Sequence, residues 1–257
     1  MANLFAGHKN EWKALADIDY FGNFVKAYIP FNAWMNTSYP SLSRDRDKID
    51  EIKKNPNPLR DKICVLLDAE QDGIQFRNLL GELHSLLENH YIYNKDKRIS
   101  FSGVTIDKNP EKQSIEHKRG IEFIANRDKK VISLIKNRKK EEIFKLEQEN
   151  YDINGLQTNQ VFQKLSTEYQ SYLLGCYKDI EPYIQKDFTD IKGVDEKYNC
   201  GAYKFVKDHD HDLAKGLIEI LYNLRCSLFH GELVPNKEAN QIYGTAYRIL
   251  YMLIQSL

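Results

Sequence analysis

The apolar residues of this chain change period twice along its length, and that change restricts the folds open to it. Near the N-terminus, "EWKALADIDYFGNFVKAYIPFNAWMNTSYP" (residues 11–40) places Phe21, Phe24, Val25, Tyr28 and Ile29 at helical spacing. Pro30 should kink that helix or divide it in two, because proline removes a backbone donor and its ring crowds the preceding turn. "RDRDKIDEIKKNPNPLRDKI" reads as a charged helix broken at Pro56 and Pro58. "DGIQFRNLLGELHSLLENHYIY" reads as an amphipathic helix with Leu79, Leu83, Leu86 and Leu87 on one side. From about residue 98 the period falls to two. "RISFSGVTI", "KKVISLIK" and "EEIFKLEQ" alternate, with the turn-like "NRDKK" and "KNRKKE" between them. A small antiparallel sheet over roughly 98–150 follows, with a helix over 129–149 as the alternative. Helical spacing returns at "TNQVFQKLSTEYQSYLLGCY". After a loop rich in Asp, Gly and Tyr come two closing helices, about 202–231 and 237–256. The pattern predicts a mainly α fold, a helical bundle with a small antiparallel β insert: N-terminal helices over 1–97, a β-rich insert over 98–155, and C-terminal helices over 156–257.

With 257 residues the chain can bury a sizeable core. Lys plus Arg and Asp plus Glu number 37 each, a balance that argues against a surface coated for general nucleic-acid binding while leaving room for a local basic groove. Cys64, Cys176, Cys200 and Cys226 are scattered without a CxxC spacing, which fits free thiols in a reducing compartment. "MANLFAGHKNEWKAL" lacks the apolar core of a signal peptide, and charges break every apolar stretch short of the ~20 residues that a membrane span needs. The expectation is a cytoplasmic chain with no membrane contact.

One stretch invites a chemical question. "YNLRCSLFHGEL", Tyr222 to Leu233, carries Arg225 and His230 to the end of an apolar helix that meets Gly231. On a wheel of about 100° per residue, Leu217, Ile220, Leu221 and Leu228 lie within about 60° of Leu224 and form a buried stripe. Asn223, His230, Glu219 and Cys226 line the more polar side, with Ser227 at its border. Arg225 sits about 140° from His230, so the two converge only where the helix frays or across a two-fold axis with a second copy. Such a pair suits RNA cleavage. A histidine with an ordinary pKa near 6.5 accepts a proton from a ribose 2′-hydroxyl or gives one to the leaving oxygen. An arginine holds the phosphate with a fork of donors. The plain alternative is a snorkelling arginine, a histidine at a helix C-terminus and a glycine cap.

The run "LYNLRCSLFHGELVPNKEANQIYGTAYRILYMLIQSL" resembles the C-terminal part of HEPN-domain proteins, all-α modules of prokaryotic toxins and antiviral systems. Their signature is Arg-x4–6-His late in one helix, often followed by glycine, a short loop and a final amphipathic helix. Arg225, His230, Gly231 and the closing helix from Lys237 match it, and "YFGNFVKAYIPFNAWMN" is similar to the first helix of larger members. The resemblance implies a HEPN-like bundle working as a metal-independent endoribonuclease, without a cofactor. It implies a homodimer in which two Arg/His pairs meet in one cleft, with RNA as substrate. A toxin or phage-defence role would add an antitoxin or other defence-system protein as partner. Arg225 and His230 would be the catalytic residues. The residue after the arginine is commonly polar in the family and is Cys226 here, so Asn223 and Ser227 are the candidates for a supporting polar contact. A non-catalytic RNA- or nucleotide-binding module, or a dimeric interaction protein, stands as the alternative.

Three further motifs compete. "QFRNLLGELH" holds Arg77 and His84 seven apart on one helix face, read as a solvated face because no glycine-terminated end follows. "KDHDHDL" has the look of metal ligands. In a helix, however, His209 and His211 point about 200° apart, so Asp208, Asp210 or Asp212 is expected as a helix cap instead. No metal site is expected. The lysines of the two turns are read as solvated.

Overall fold

A computed structural model describes residues 19–71, 73–208 and 211–257. In chain order come α1 (Tyr20–Ser38), α2 (Asp45–Lys54), α3 (Pro58–Asp68), α4 (Ile74–Asn89), β1 (Tyr93–Asn94), β2 (Lys97–Arg98) and β3 (Ser102–Lys108). Next are β4 (Gln113–Lys118), β5 (Ile121–Arg127), β6 (Val131–Lys136), β7 (Glu142–Gln148), α5 (Ile153–Thr158), α6 (Gln160–Gln163) and α7 (Thr167–Asp179). The chain closes with β8 (Tyr183–Asp187), β9 (Lys197–Cys200), β10 (Tyr203–Val206), α8 (Asp212–Phe229) and α9 (Lys237–Ile254). These elements form two compact units: the described part of Met1–Ile106 with Gln185–Leu257, and Asp107–Ile184.

In the first unit α9 packs against α1 and α4. Tyr243 of α9 sits at the centre, its ring 5.3 Å edge-on from Phe24 and 5.0 Å from Phe21. Its hydroxyl donates to the Leu224 carbonyl of α8 at 2.7 Å, so this buried phenol has a partner and adds no desolvation penalty. Local chemistry sets the helix starts. The Asp19 side chain accepts from Gly22 N, and Asn57 accepts from Arg60 N with Pro58 at the first helical position. The β9–β10 hairpin lies on α4, where a Cβ on Gly81 would fall 2.0 Å from the Cys200 carbonyl oxygen. Only glycine permits that approach.

The second unit is an antiparallel meander, β4-β5-β6-β7, with α7 packed on one face. Phe123, Ala125, Val131, Ile135 and Phe144 alternate inward and meet Leu173, Cys176 and Tyr177 of α7. In the turns beyond the strands, Arg138 donates to the Arg119 carbonyl, while Lys130 and Lys140 pair with Glu149 and Glu122 at exposed positions.

The mainly α expectation is corrected. Helix accounts for 49% and strand for 21%, which makes this a mixed α and β fold rather than a helical bundle with a small insert. The β content extends beyond the alternating stretch. Residues 156–257, expected to be helical, also contain β8, β9 and β10, and the helix expected from about 202 starts at Asp212. Strands of four or five residues give alternation too little length to register. Residues 129–149 form strands, not a helix. Pro30 does not divide α1. The helix runs through it with the ring exposed, giving up only the donor that would have reached the Lys26 carbonyl. The part of that helix expected over residues 11–18 lies outside the described residues.

Candidate active site

The helix that carries the Arg-x4-His motif is buried almost all round. Leu217, Ile220, Leu221 and Leu224 form the apolar stripe, but Glu219, Cys226 and Ser227 on its polar side are buried as well. The cover is α2, with the β1–β2 hairpin beside it. Glu219 is the hub of this contact. Arg46 of α2 donates to both its oxygens at 2.7 and 2.8 Å, and Lys53 donates at 2.7 Å. Asp50 bonds Arg46 and lies 3.8 Å from Lys53. Asn223 Nδ2 donates to Glu219, and Asn94 Nδ2 of β1 donates to Asn223 at 2.7 Å. Burial pushes the Glu219 carboxyl upward, but Arg46 and Lys53 outweigh it and hold the group below its ordinary range. Burial dominates at Lys53, whose ammonium is lowered despite Glu219 because Arg46 shares the same carboxylate.

Arg225 projects to the neighbouring flank. Its guanidinium pairs with Asp45 at the first residue of α2, 3.2 Å away, with side-chain exposures of 23% and 32%. The guanidinium also lies 4.8 Å from the Phe229 ring centroid and 5.9 Å from that of Tyr28. The Tyr28 hydroxyl is buried and has no hydrogen-bond partner among the described residues. Burial drives its pKa up, and Arg225 offsets only part of that.

His230 is the C-cap of α8 and is exposed. Gly231 N bonds the Leu228 carbonyl, Glu232 N bonds the Ser227 carbonyl, and Gly231 has φ +67°. This is a Schellman cap with glycine in the left-handed position. The His230 ring makes no hydrogen bond or ion pair with another described residue. No side-chain hydrogen bond or ion pair joins any two of Arg225, His230, Asn223 and Ser227 within one chain. Asn223 belongs to the Glu219 network. The Ser227 hydroxyl is buried against Tyr243, so neither group supports His230 directly.

The competing motifs resolve differently. Arg77 donates to the carbonyls of Leu66, Leu67, Ala69 and Glu70, closing the C-terminus of α3. His84 is buried edge-on against Phe101, Tyr203 and Phe205. This face is therefore not solvated as expected, because the β9–β10 hairpin covers it. The N-cap of α8 is His211, which makes no side-chain cap bond, and not one of the expected aspartates; Asp208 lies before the helix and accepts from Asp212 N at 2.9 Å, while His209 and Asp210 lie outside the described residues. Among the described residues no group of three or more His, Cys, Asp or Glu is placed to hold a metal ion, and no helix is long and apolar enough to cross a membrane.

The sequence reading missed the Glu219 hub. Its signal was a lone acid inside the apolar run "LAKGLIEILYNL", facing a charged helix whose Arg46 and Asp50 stand four apart. In comparisons with known proteins, no family model, no curated protein and no solved structure matches the chain.

Proposed function

We propose that this protein is an endoribonuclease of HEPN type, acting in the cytoplasm as a toxin or phage-defence effector, with His230 as the proton-transfer residue and Arg225 as the phosphate holder. The observation that carries this reading is the end of α8. A fixed Schellman cap presents an uncommitted, exposed imidazole, and a part-exposed guanidinium lies on the adjoining flank. Cleavage of RNA at its 2′-hydroxyl needs one group to take that proton as the oxygen attacks phosphorus. A second group must protonate the 5′-oxygen as the P–O bond breaks. One histidine cannot do both in the same event. Two copies meeting at this surface in a C2 dimer would supply both histidines and two arginines for the equatorial oxygens. An antitoxin or other defence-system protein would restrain such an enzyme.

A second reading has its own observation. The Asp45 carboxylate already pairs with Arg225 and withholds the guanidinium from a reacting phosphate, which favours a module without turnover that binds RNA through other groups. The test is incubation of the purified protein with total RNA in EDTA. The reading expects cleavage that leaves 2′,3′-cyclic phosphate ends and spares DNA, which lacks the attacking hydroxyl. Activity that needs added magnesium or zinc, or cutting of DNA, overturns it. Binding without cleavage selects the second reading.

A further inference from the structure

The β1–β2 hairpin is fastened to the same helix end. Besides the Asn94–Asn223 bond, its tip residue Lys95, in the left-handed conformation at φ +57°, donates its backbone N–H to Glu232 Oε2 at 2.6 Å. Glu232 stands two residues after His230. Ile92 and Ile99 are buried beneath the hairpin, and Ile99 N bonds the Ile92 carbonyl at 2.8 Å. Strand alternation then turns Tyr91 and Tyr93 outward, where they are 55% and 43% exposed. Tyr93 stands opposite Arg98 in the register, so Arg98 shares that outer face. Its guanidinium lies 3.8 Å from the Tyr91 ring centroid and is held there by Glu88 at 2.6 Å and the Leu87 carbonyl at 3.1 Å. Glu88 and Glu232 are engaged by these bonds. In number, Glu88, Asp96 and Glu232 balance Lys95, Lys97 and Arg98 around the hairpin.

We infer that Tyr91, Tyr93 and Arg98 form a platform on which bases of single-stranded RNA stack, with Lys95 at the tip within reach of the phosphate backbone. Two exposed aromatic rings and a pinned guanidinium on one face are what the bases of an unpaired strand stack on through their π-faces. A platform set over buried isoleucines, with Arg98 pinned by Glu88, is already ordered, so binding spends little on fixing it. Its attachment beside His230 would hold a strand next to the helix end where the proposed cleavage occurs. The inference rests on the ribonuclease reading for its choice of RNA.

The test is fluorescence anisotropy with a labelled single-stranded 2′-O-methyl RNA, which cannot be cut, alongside single-turnover cleavage of the unmodified strand. Tyr91→Ala and Tyr93→Ala should each weaken binding of the uncleavable strand by about tenfold, while the corresponding Tyr→Phe variants keep it. Both tyrosines are outward-facing, so melting temperature should hold. Inorganic polyphosphate, which has no bases, should bind the Tyr→Ala variants as it binds wild type. Unchanged RNA affinity in the alanine variants overturns the platform, as does a wild type that fails to bind the strand. Weakened binding in a protein that never cleaves keeps the platform and removes the ribonuclease reading.

Discussion

Replacing Glu219 with glutamine tests the contact between α2 and α8 at its hub. The substitution keeps the shape and removes the charge that two cations share. Arg46 loses little, since it retains Asp50 and its side chain is 34% exposed. Lys53 loses most. Its side chain is 3% exposed, and its remaining partners are Asp50 at 3.8 Å and the Thr105 carbonyl at 3.3 Å. Removing one partner of a buried ion pair costs about 3–5 kcal/mol, because the other charge is left uncompensated. At ~2–4 °C per kcal/mol for a domain of this size, about 4 kcal/mol lowers the melting temperature by roughly 8–16 °C. Burial already holds Lys53 below its ordinary range, so the variant can shed that proton, and the deficit should shrink as pH is raised through the alkaline range. The assay is thermal unfolding followed by circular dichroism at neutral and alkaline pH. The double variant Lys53→Met with Glu219→Leu serves as control and should lose less than Glu219→Gln, because no charge is left buried. A loss under about 1 kcal/mol, the size expected of an exposed pair, would refute the reasoning.

Other outcomes follow from the same contacts. Asp45→Asn removes the counter-charge on Arg225 and should raise both RNA affinity and cleavage rate, read by filter binding and single-turnover kinetics. Unchanged values would mean that Asp45 does not compete with phosphate. Arg225→Lys keeps the charge but loses the two-pronged geometry, so it should lower the cleavage rate much more than RNA affinity. Equal losses would reduce Arg225 to an anchor. Burial holds His84 below its ordinary range; Glu88 and Asp187 oppose this, and Arg98 adds to it. As pH falls through about 6.5 the unfolded chain therefore takes up a proton that the folded one refuses, and stability falls. His84→Leu should flatten that slope between pH 7 and 5.5, and an unchanged slope would place its origin elsewhere.

Long elements were legible in the sequence, and short or covered ones were not. The apolar stripe of α8 and the inward alternation of β6 appear where periodicity put them, because each runs long enough for its period to show. β9 and β10 are four residues each, and their buried Tyr198, Cys200 and Phe205 give no pattern apart from the helix they cover. The polar flank of α8 misled for another reason. Glu219 and Asn223 were placed on the more polar side with Ser227 at its border, but periodicity on one helix does not reveal that a second charged helix docks there. The same blindness made the face with Arg77 and His84 look solvated. At the candidate site, the cap at Gly231 and the free end at His230 could be read from the sequence. The Asp45 contact could not, because it joins residues 180 positions apart.

Single-turnover cleavage by His230→Ala decides whether His230 moves a proton during RNA cleavage. The ring is exposed and makes no hydrogen bond or ion pair with another described residue, so truncation should change stability by only about 0.5 kcal/mol. Wild type should cleave in EDTA and the variant should not, with equal melting temperatures and equal affinity for an uncleavable RNA. Undiminished cleavage by a folded His230→Ala protein would contradict a proton-transfer role for His230.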